Sequence, residues 1–425
     1  MKKFLVVLLA GMLAMPLIAC GGDGEDDGIT VWVHAQGVKT RLEGYAEASG
    51  NQINVVMIPV EDFQVKLKQS VLDPKAAPDL FVIAKDYARE WVEVDGAVAN
   101  LSAEFPEDIS AYQANTYDSL FVIGTHDGDA YGVTSEYTPG MMFYNRRLAN
   151  ELFGTDDDVE VGRLIASEQQ ILELNDRLQE MYGGSVKMFG TFLNVSAMYF
   201  NARVDPWVVD NVMKITPEIE AFFDWSKTVW ENDMVMAVGE EDSYFNSTAQ
   251  GTHLLDPLPT WGFLSKIRPQ IADPGTELYG VTTPYLTYTR GGSYWFIPEV
   301  STKKAETWEA IKYLLMDEDV LTQYCLDNLA LTSNRHVTNA LAESDHREPL
   351  MGNQQIFKTY HEEIPTIEAK FGDSINVTRY DGTISEHLRA VAVDYGTGKV
   401  TLDQAYNDFK TRIESAYQEL TVELP

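Results

Sequence analysis

The strictest constraint on the fold lies in the order of apolar runs between Ile29 and Val94. Ile29-Thr30-Val31-Trp32-Val33-His34 is rich in β-branched residues and reads as a strand. Residues 38–48 read as a helix, stopped by Gly50-Asn51. Gln52–Ile58 is a second strand, ended by Pro59. Residues 61–72 read as a helix with Phe63, Leu67 and Val71 on one face, and Asp73-Pro74 breaks it. Leu80–Ala84 is an unbroken apolar run, as expected of a parallel strand covered on both faces, and a further helix follows around 86–94. This alternation predicts a layered α/β domain with a mainly parallel sheet.

The chain has 425 residues, too many for one core, so two domains are expected. Short strands follow at 130–133 and 141–144, then helices at 164–182 and 217–231. Pro and Gly are dense from 251 to 298, which predicts loops and strands. Helices resume at 302–316 and 317–329, and Thr401-x-x-Gln404 is a capping box opening a last helix over 402–419. Acidic residues number 65 against 32 basic ones, a formal charge of −33. Such a surface repels nucleic acid and anionic lipid. It also argues against a polyanionic ligand unless the site holds a local basic cluster, and none is visible in the sequence. No metal-ligand spacing, phosphate-binding glycine loop or nucleophile elbow occurs, so no cofactor and no metal is expected. Asp127-Gly128-Asp129 reads as a tight turn rather than a calcium loop.

The first twenty residues bear on location. Lys2-Lys3 precedes the apolar stretch Phe4–Ala19, which is shorter than the roughly 20 residues a membrane span needs. Leu17-Ile18-Ala19-Cys20 resembles the lipobox of bacterial lipoproteins. That resemblance implies a signal peptide over 1–19, lipidation of Cys20, and a flexible linker over 20–28. An extracytoplasmic, membrane-anchored protein is therefore expected. With Cys20 lipidated, Cys325 stands alone in an apolar helical pattern and reads as a buried, inert thiol.

A series of short motifs then runs through the chain in order. They are Ala77-Pro78-Asp79-Leu80-Phe81, Asp95-Gly96-Ala97-Val98-Ala99-Asn100-Leu101, Asp127-Gly128-Asp129-Ala130-Tyr131-Gly132-Val133, Met142-Phe143-Tyr144-Asn145-Arg146-Arg147-Leu148, Gly291-Gly292-Ser293-Tyr294-Trp295 and Ser301-Thr302-Lys303-Lys304-Ala305-Glu306-Thr307-Trp308. Together they resemble the extracellular solute-binding proteins of bacterial ABC importers, family 1, the maltose-binding-protein type. The chain departs from that pattern at Asp156–Gly162, an acidic insertion-like stretch, and at Ala330–Asn334 and Thr134, where the family favours Pro. The resemblance implies a two-lobed, periplasmic-binding-protein-like (type II) α/β fold. Residues 29–137 with 293–335 would form the N-terminal lobe, and 138–292 with 336–425 the C-terminal lobe and closing helices. It also implies a sugar ligand in the cleft, no enzymatic activity, an ABC permease as partner and a monomeric state.

Ligands of α/β sheets sit beyond the carboxyl ends of the strands. The expected ligand-binding residues are therefore His34 and Gln36 after the first strand, and Lys85 and Asp86 after the third. Glu136 and Tyr137 are expected at the first crossing between lobes. The resemblance implies Asn194, Tyr199 and Trp261 from the second lobe, and Ser293, Tyr294 and Trp295 are expected after the glycine pair. An indole can cover the C–H face of a pyranose while carboxylates and amides satisfy its hydroxyl rim. Trp225 and Trp308, inside amphipathic helices, are assigned to packing. Two other readings stay open: a secreted carbohydrate-active enzyme, and a binding protein for a non-sugar solute, a cationic one among them.

Overall fold

Side-chain alternation along the first strand builds a sheet covered on both sides. Val31 and Val33 join one apolar cluster, Trp32 the other. The computed structural model describes residues 28–271, 279–372 and 374–425. The expected signal peptide, Cys20 and all of the 20–28 linker but Gly28 lie outside the described residues, and Gly28 is buried against Gln52. In the first sheet Ile29–Val33 runs parallel to Ile53–Met57 on one side and Leu80–Ala84 on the other. Ser293–Phe296 adds antiparallel to Leu80–Ala84, and Gly132–Val133 completes the edge.

The second sheet has the order Val235–Ala237, Lys187–Thr191, His253–Pro259, Gly140–Asn145, Tyr279–Thr282. Its first three strands are parallel, and Gly140–Asn145 is antiparallel to both its neighbours. The chain passes between the sheets at 134–140 and again at 289–292. There Glu136–Tyr137 pairs with Leu331–Thr332, and Pro139 bridges to Thr289. Gly291 and Gly292 adopt φ of 82° and 92°, a left-handed pair that only glycine accepts without strain. The fold is thus two α/β lobes joined by strands, as the resemblance implied.

One core fills the second lobe, where Phe189, Phe192 and Phe222 meet Leu388 and Phe409 of the tail helices Asp381–Gly396 and Leu402–Ala416. Another lies behind the crossing, where Tyr117 and Leu120 pack with Met141, Phe143, Cys325 and Ile364. Cys325 is buried there and burial pushes its thiol up to about 12, so it is inert as expected. Trp225 and Trp308 are core residues. Asp127 and Gly128, both at positive φ, form the two-residue turn between Thr125–His126 and Asp129–Ala130.

The acidic stretch at 156–162 is not an unstructured insertion. Asp157 caps a helix over Asp158–Leu164, whose first turn carries Asp158 and Glu160. Acids there complement the helix dipole. The helix expected from 164 instead starts at Glu168, capped by Ser167. Among the described residues no helix is long and apolar enough to cross a membrane.

Glu363, on the helix Ile356–Phe371, gives the fold a pH dependence. Burial pushes its carboxyl up to about 7, against the pull of a hydrogen bond from Thr287, and its Oε2 has no partner. A free glutamate titrates near 4.3, so the folded chain retains a proton that the unfolded chain has already released. This contribution is full below the unfolded value and is lost as pH rises through about 7. Melting temperatures of wild type and Glu363→Gln at about pH 5.5 and 8 should therefore differ in slope. Only the wild type is expected to lose this increment at the higher pH, and parallel profiles would contradict the assignment.

Candidate functional site

The loops beyond the parallel strands of the two sheets meet at the crossing. Lys85 follows Leu80–Ala84 directly, and its amide bonds Gly292 O at 2.9 Å. Its buried Nζ donates to Thr289 Oγ1 at 3.1 Å. Burial pulls the ammonium below its ordinary pKa, with Asp86 opposing and Arg203 adding to the effect. Asp86 borders a crevice of about 20 Å³ with Lys85 on one side and Asn201, Arg203, Asp381 and Ser385 on the other. Arg203 and Asp381 form a buried ion pair, and Asp381 Oδ1 also accepts from the Thr378 amide and hydroxyl. Gly382 lies so close to Tyr87 that a Cβ would come within 2.8 Å of its hydroxyl. The lobes are therefore in contact here. The space left between them holds about one water molecule.

The other expected residues divide into three groups. His34, half-buried, lies with Nδ1 3.2 Å from Val82 O. Burial holds its pKa down, against Val82 and the carboxylate of Glu136. Glu136 accepts from Tyr324 OH at 3.4 Å. Asn194 Oδ1 accepts from Arg290 Nη1 at 2.9 Å, and Trp261 Nε1 donates to Arg290 O at 3.4 Å. Trp261 also lies against the glycine pair, where a Cβ at Gly291 would sit 3.0 Å from Nε1. Together with Lys85 and Asp86, these residues sit at the junction.

A second group is brought close but turned away. Tyr137 is fully buried and donates to Glu368 Oε1 at 2.8 Å, behind the crossing. Neighbours on a strand face opposite ways, so Glu136 and Tyr137 cannot both line the cleft. Ser293 is buried opposite Ala84 in the first sheet. Tyr294 is buried and bonds Leu120 O at 2.7 Å. Trp295 is fully buried and opposes Val82 and Val133, inside the first-lobe core. The expectation that Tyr294 and Trp295 present rings to a ligand is corrected accordingly. The Ser293–Phe296 strand lies between Leu80–Ala84 and Gly132–Val133, and its two faces enter different cores, Tyr294 and Phe296 one and Trp295 the other.

The third group lies elsewhere. Gln36 is exposed at the start of its helix and reaches Thr40. Tyr199, at the far end of the helix Phe192–Asn201, bonds Glu168 and borders a separate cavity of about 560 Å³. That cavity lies in the second lobe, walled by Phe200, Trp207, Phe222 and Leu286, and only Arg203 also borders the crevice. Arg203 stacks 3.9 Å over the Trp207 ring. Sequence reasoning missed Arg203, Thr289, Arg290 and Asp381, which no local motif marks.

One constellation resembles a hydrolase relay but is sealed. Ser247 Oγ lies 2.8 Å from His253 Nδ1, and His253 Nε2 lies 2.6 Å from Asp256 Oδ2. All three are buried, so no substrate reaches the serine, and the bonds tie the helix Asp242–Gln250 to its strand.

No family model matches the chain, and no curated protein matches it. Solved structures do. An extracellular solute-binding protein of family 1 superposes with a TM-score of 0.74 at 15% identity, over 92% of this chain and 99% of that one. The sugar-binding protein MalE from Xanthomonas citri gives 0.70 at 14% identity, over 91% and 96%. The galacto-N-biose-/lacto-N-biose I-binding protein of an ABC transporter from Bifidobacterium longum, in complex with lacto-N-biose, gives 0.70 at 16%, over 95% and 100%. At these identities the likeness is one of fold, and it extends over nearly the whole chain.

Proposed function

We propose that this protein is an extracytoplasmic, non-enzymatic solute-binding component of an ABC importer that captures a saccharide between its lobes. The observation that carries the reading is the meeting of Lys85 and Asp86 with Asn201, Arg203, Asp381 and Ser385 across one polar crevice at the crossing. Ligand contacts to both lobes would bias a hinge between parted and closed forms. Lys85, Asp86, Glu136, Asn194 and Trp261 are the proposed contacts, with His34 beside them. Trp261 is the aromatic placed to cover a sugar face. The solved structures of like fold that hold sugars support the choice of ligand class. Lipidation at Cys20 would hold the protein at the membrane, beside a separate permease. Residues 29–137 with 293–335, and 138–292 with 336–425, remain the proposed division into lobes.

A melting screen against sugars and other small solutes tests the reading. A ligand at a hundredfold its Kd adds about 2.7 kcal/mol, enough for a clear shift. Shifts with cationic solutes alone, or turnover of a glycan, would replace it. Cys20→Ser is expected to release the protein from membranes; retention would refute the anchor.

A further inference from the structure

Four cations of a chain with formal charge −33 gather at the junction, from four separate segments: Lys85, Arg203, Arg290 and Arg389. Two of them are answered. Arg203 has Asp381, and Lys85 has Thr289 with Asp86 beside it. The other two are not. Arg290 donates to Asn194 Oδ1, and among the described residues no carboxylate stands within 4.0 Å of either Arg290 or Arg389. Asp381, Ser385 and Arg389 recur at intervals of four on one helix, so Arg389 continues the face that borders the crevice. The groups around Arg389 are Arg290, which repels it, and Glu386, exposed one turn earlier. Burial and that repulsion both depress its pKa. Asn194 is fully buried, yet its Nδ2 has no acceptor.

Guanidinium and amide N–H groups only donate, whereas a sugar hydroxyl both donates and accepts. Two half-buried like charges with no carboxylate in contact are costly, and the cost falls when an anion joins them. We propose that the cleft takes an acidic saccharide, a uronate, whose carboxylate is received by Arg290 and Arg389 with Asn194 Nδ2 donating at the same end. This rests on the saccharide-binding reading above and names its ligand class. A carboxylate matches the planar fork of a guanidinium, and the field of a chain with formal charge −33 penalises a phosphate dianion more than a single carboxylate. The basic cluster that the sequence did not reveal is assembled by the fold.

Calorimetry on detergent-solubilised full-length protein tests the assignment with matched pairs: D-galacturonate and D-galactose, D-glucuronate and D-glucose, with glucose 6-phosphate as a further arm. At least one uronate is expected to bind about 10- to 100-fold tighter than its neutral partner. Arg389→Gln should abolish that preference and Arg389→Lys should keep part of it, with Arg290→Gln as a second variant should the first fail to fold. Neutral sugars binding as tightly as uronates, preference for the phosphate, or a preference that survives both glutamine variants would each overturn the inference. If neutral sugars bind and uronates do not, the saccharide-binding reading stands and this inference falls. If no saccharide binds, both fall.

Discussion

Truncating Trp295 to alanine is expected to destabilise the protein by about 3–5 kcal/mol, as large-to-small changes at filled core positions do. The indole is fully buried among Val82, Val133 and the helix carrying Trp308, with the Arg41 guanidinium 5.9 Å from its ring. Removing it leaves a void that the flanking strands cannot close, because Trp295 is fixed in register with both Val82 and Val133. Urea unfolding should show the loss as a lower midpoint, while ligand affinity of the folded protein changes little. Trp261→Ala is expected to do the reverse. Its ring is half-buried at the junction, so stability should shift modestly and affinity should fall. A Trp295→Ala protein of wild-type stability that no longer binds ligand would restore the platform role that the sequence first gave it.

The contrast between these two tryptophans marks where the sequence stops being legible. Strands such as Leu80–Ala84 are readable because apolar runs, β-branched residues and breakers act locally, and the capping box at Thr401 and Gln404 is local too. The direction of a side chain in a doubly covered strand is not local. Tyr294 and Trp295 look alike in sequence whether a face meets solvent or a helix. At Glu136–Tyr137 the alternation was visible, but which residue would face the cleft depended on the pairing with Leu331–Thr332. The basic cluster was the least legible feature. Arg203, Arg290 and Arg389 stand in unrelated segments, and only the packing of the tail helix against Lys85–Tyr87 unites them.

Asp381→Asn is the second large effect expected, because it removes charge while preserving shape. Asparagine keeps an acceptor for the Thr378 amide, so the local turn survives. Arg203 then has, among the described residues, no carboxylate within ion-pair distance, and only the more distant Asp86 faces it. Its side chain is only 12% exposed, and burial already pulls its pKa to about 10 while Asp86 opposes that pull. A half-broken buried pair costs about 3–5 kcal/mol, whereas replacing both partners by apolar residues is often neutral. The single variant should therefore unfold at lower urea, and Arg203→Met with Asp381→Leu should recover most of the loss. Arg203 also borders both the crevice and the second-lobe cavity and hydrogen-bonds Asn376 O, so the double variant should close poorly on ligand despite its restored stability. Equal losses in the single and double variants would show that this pair contributes through packing rather than charge.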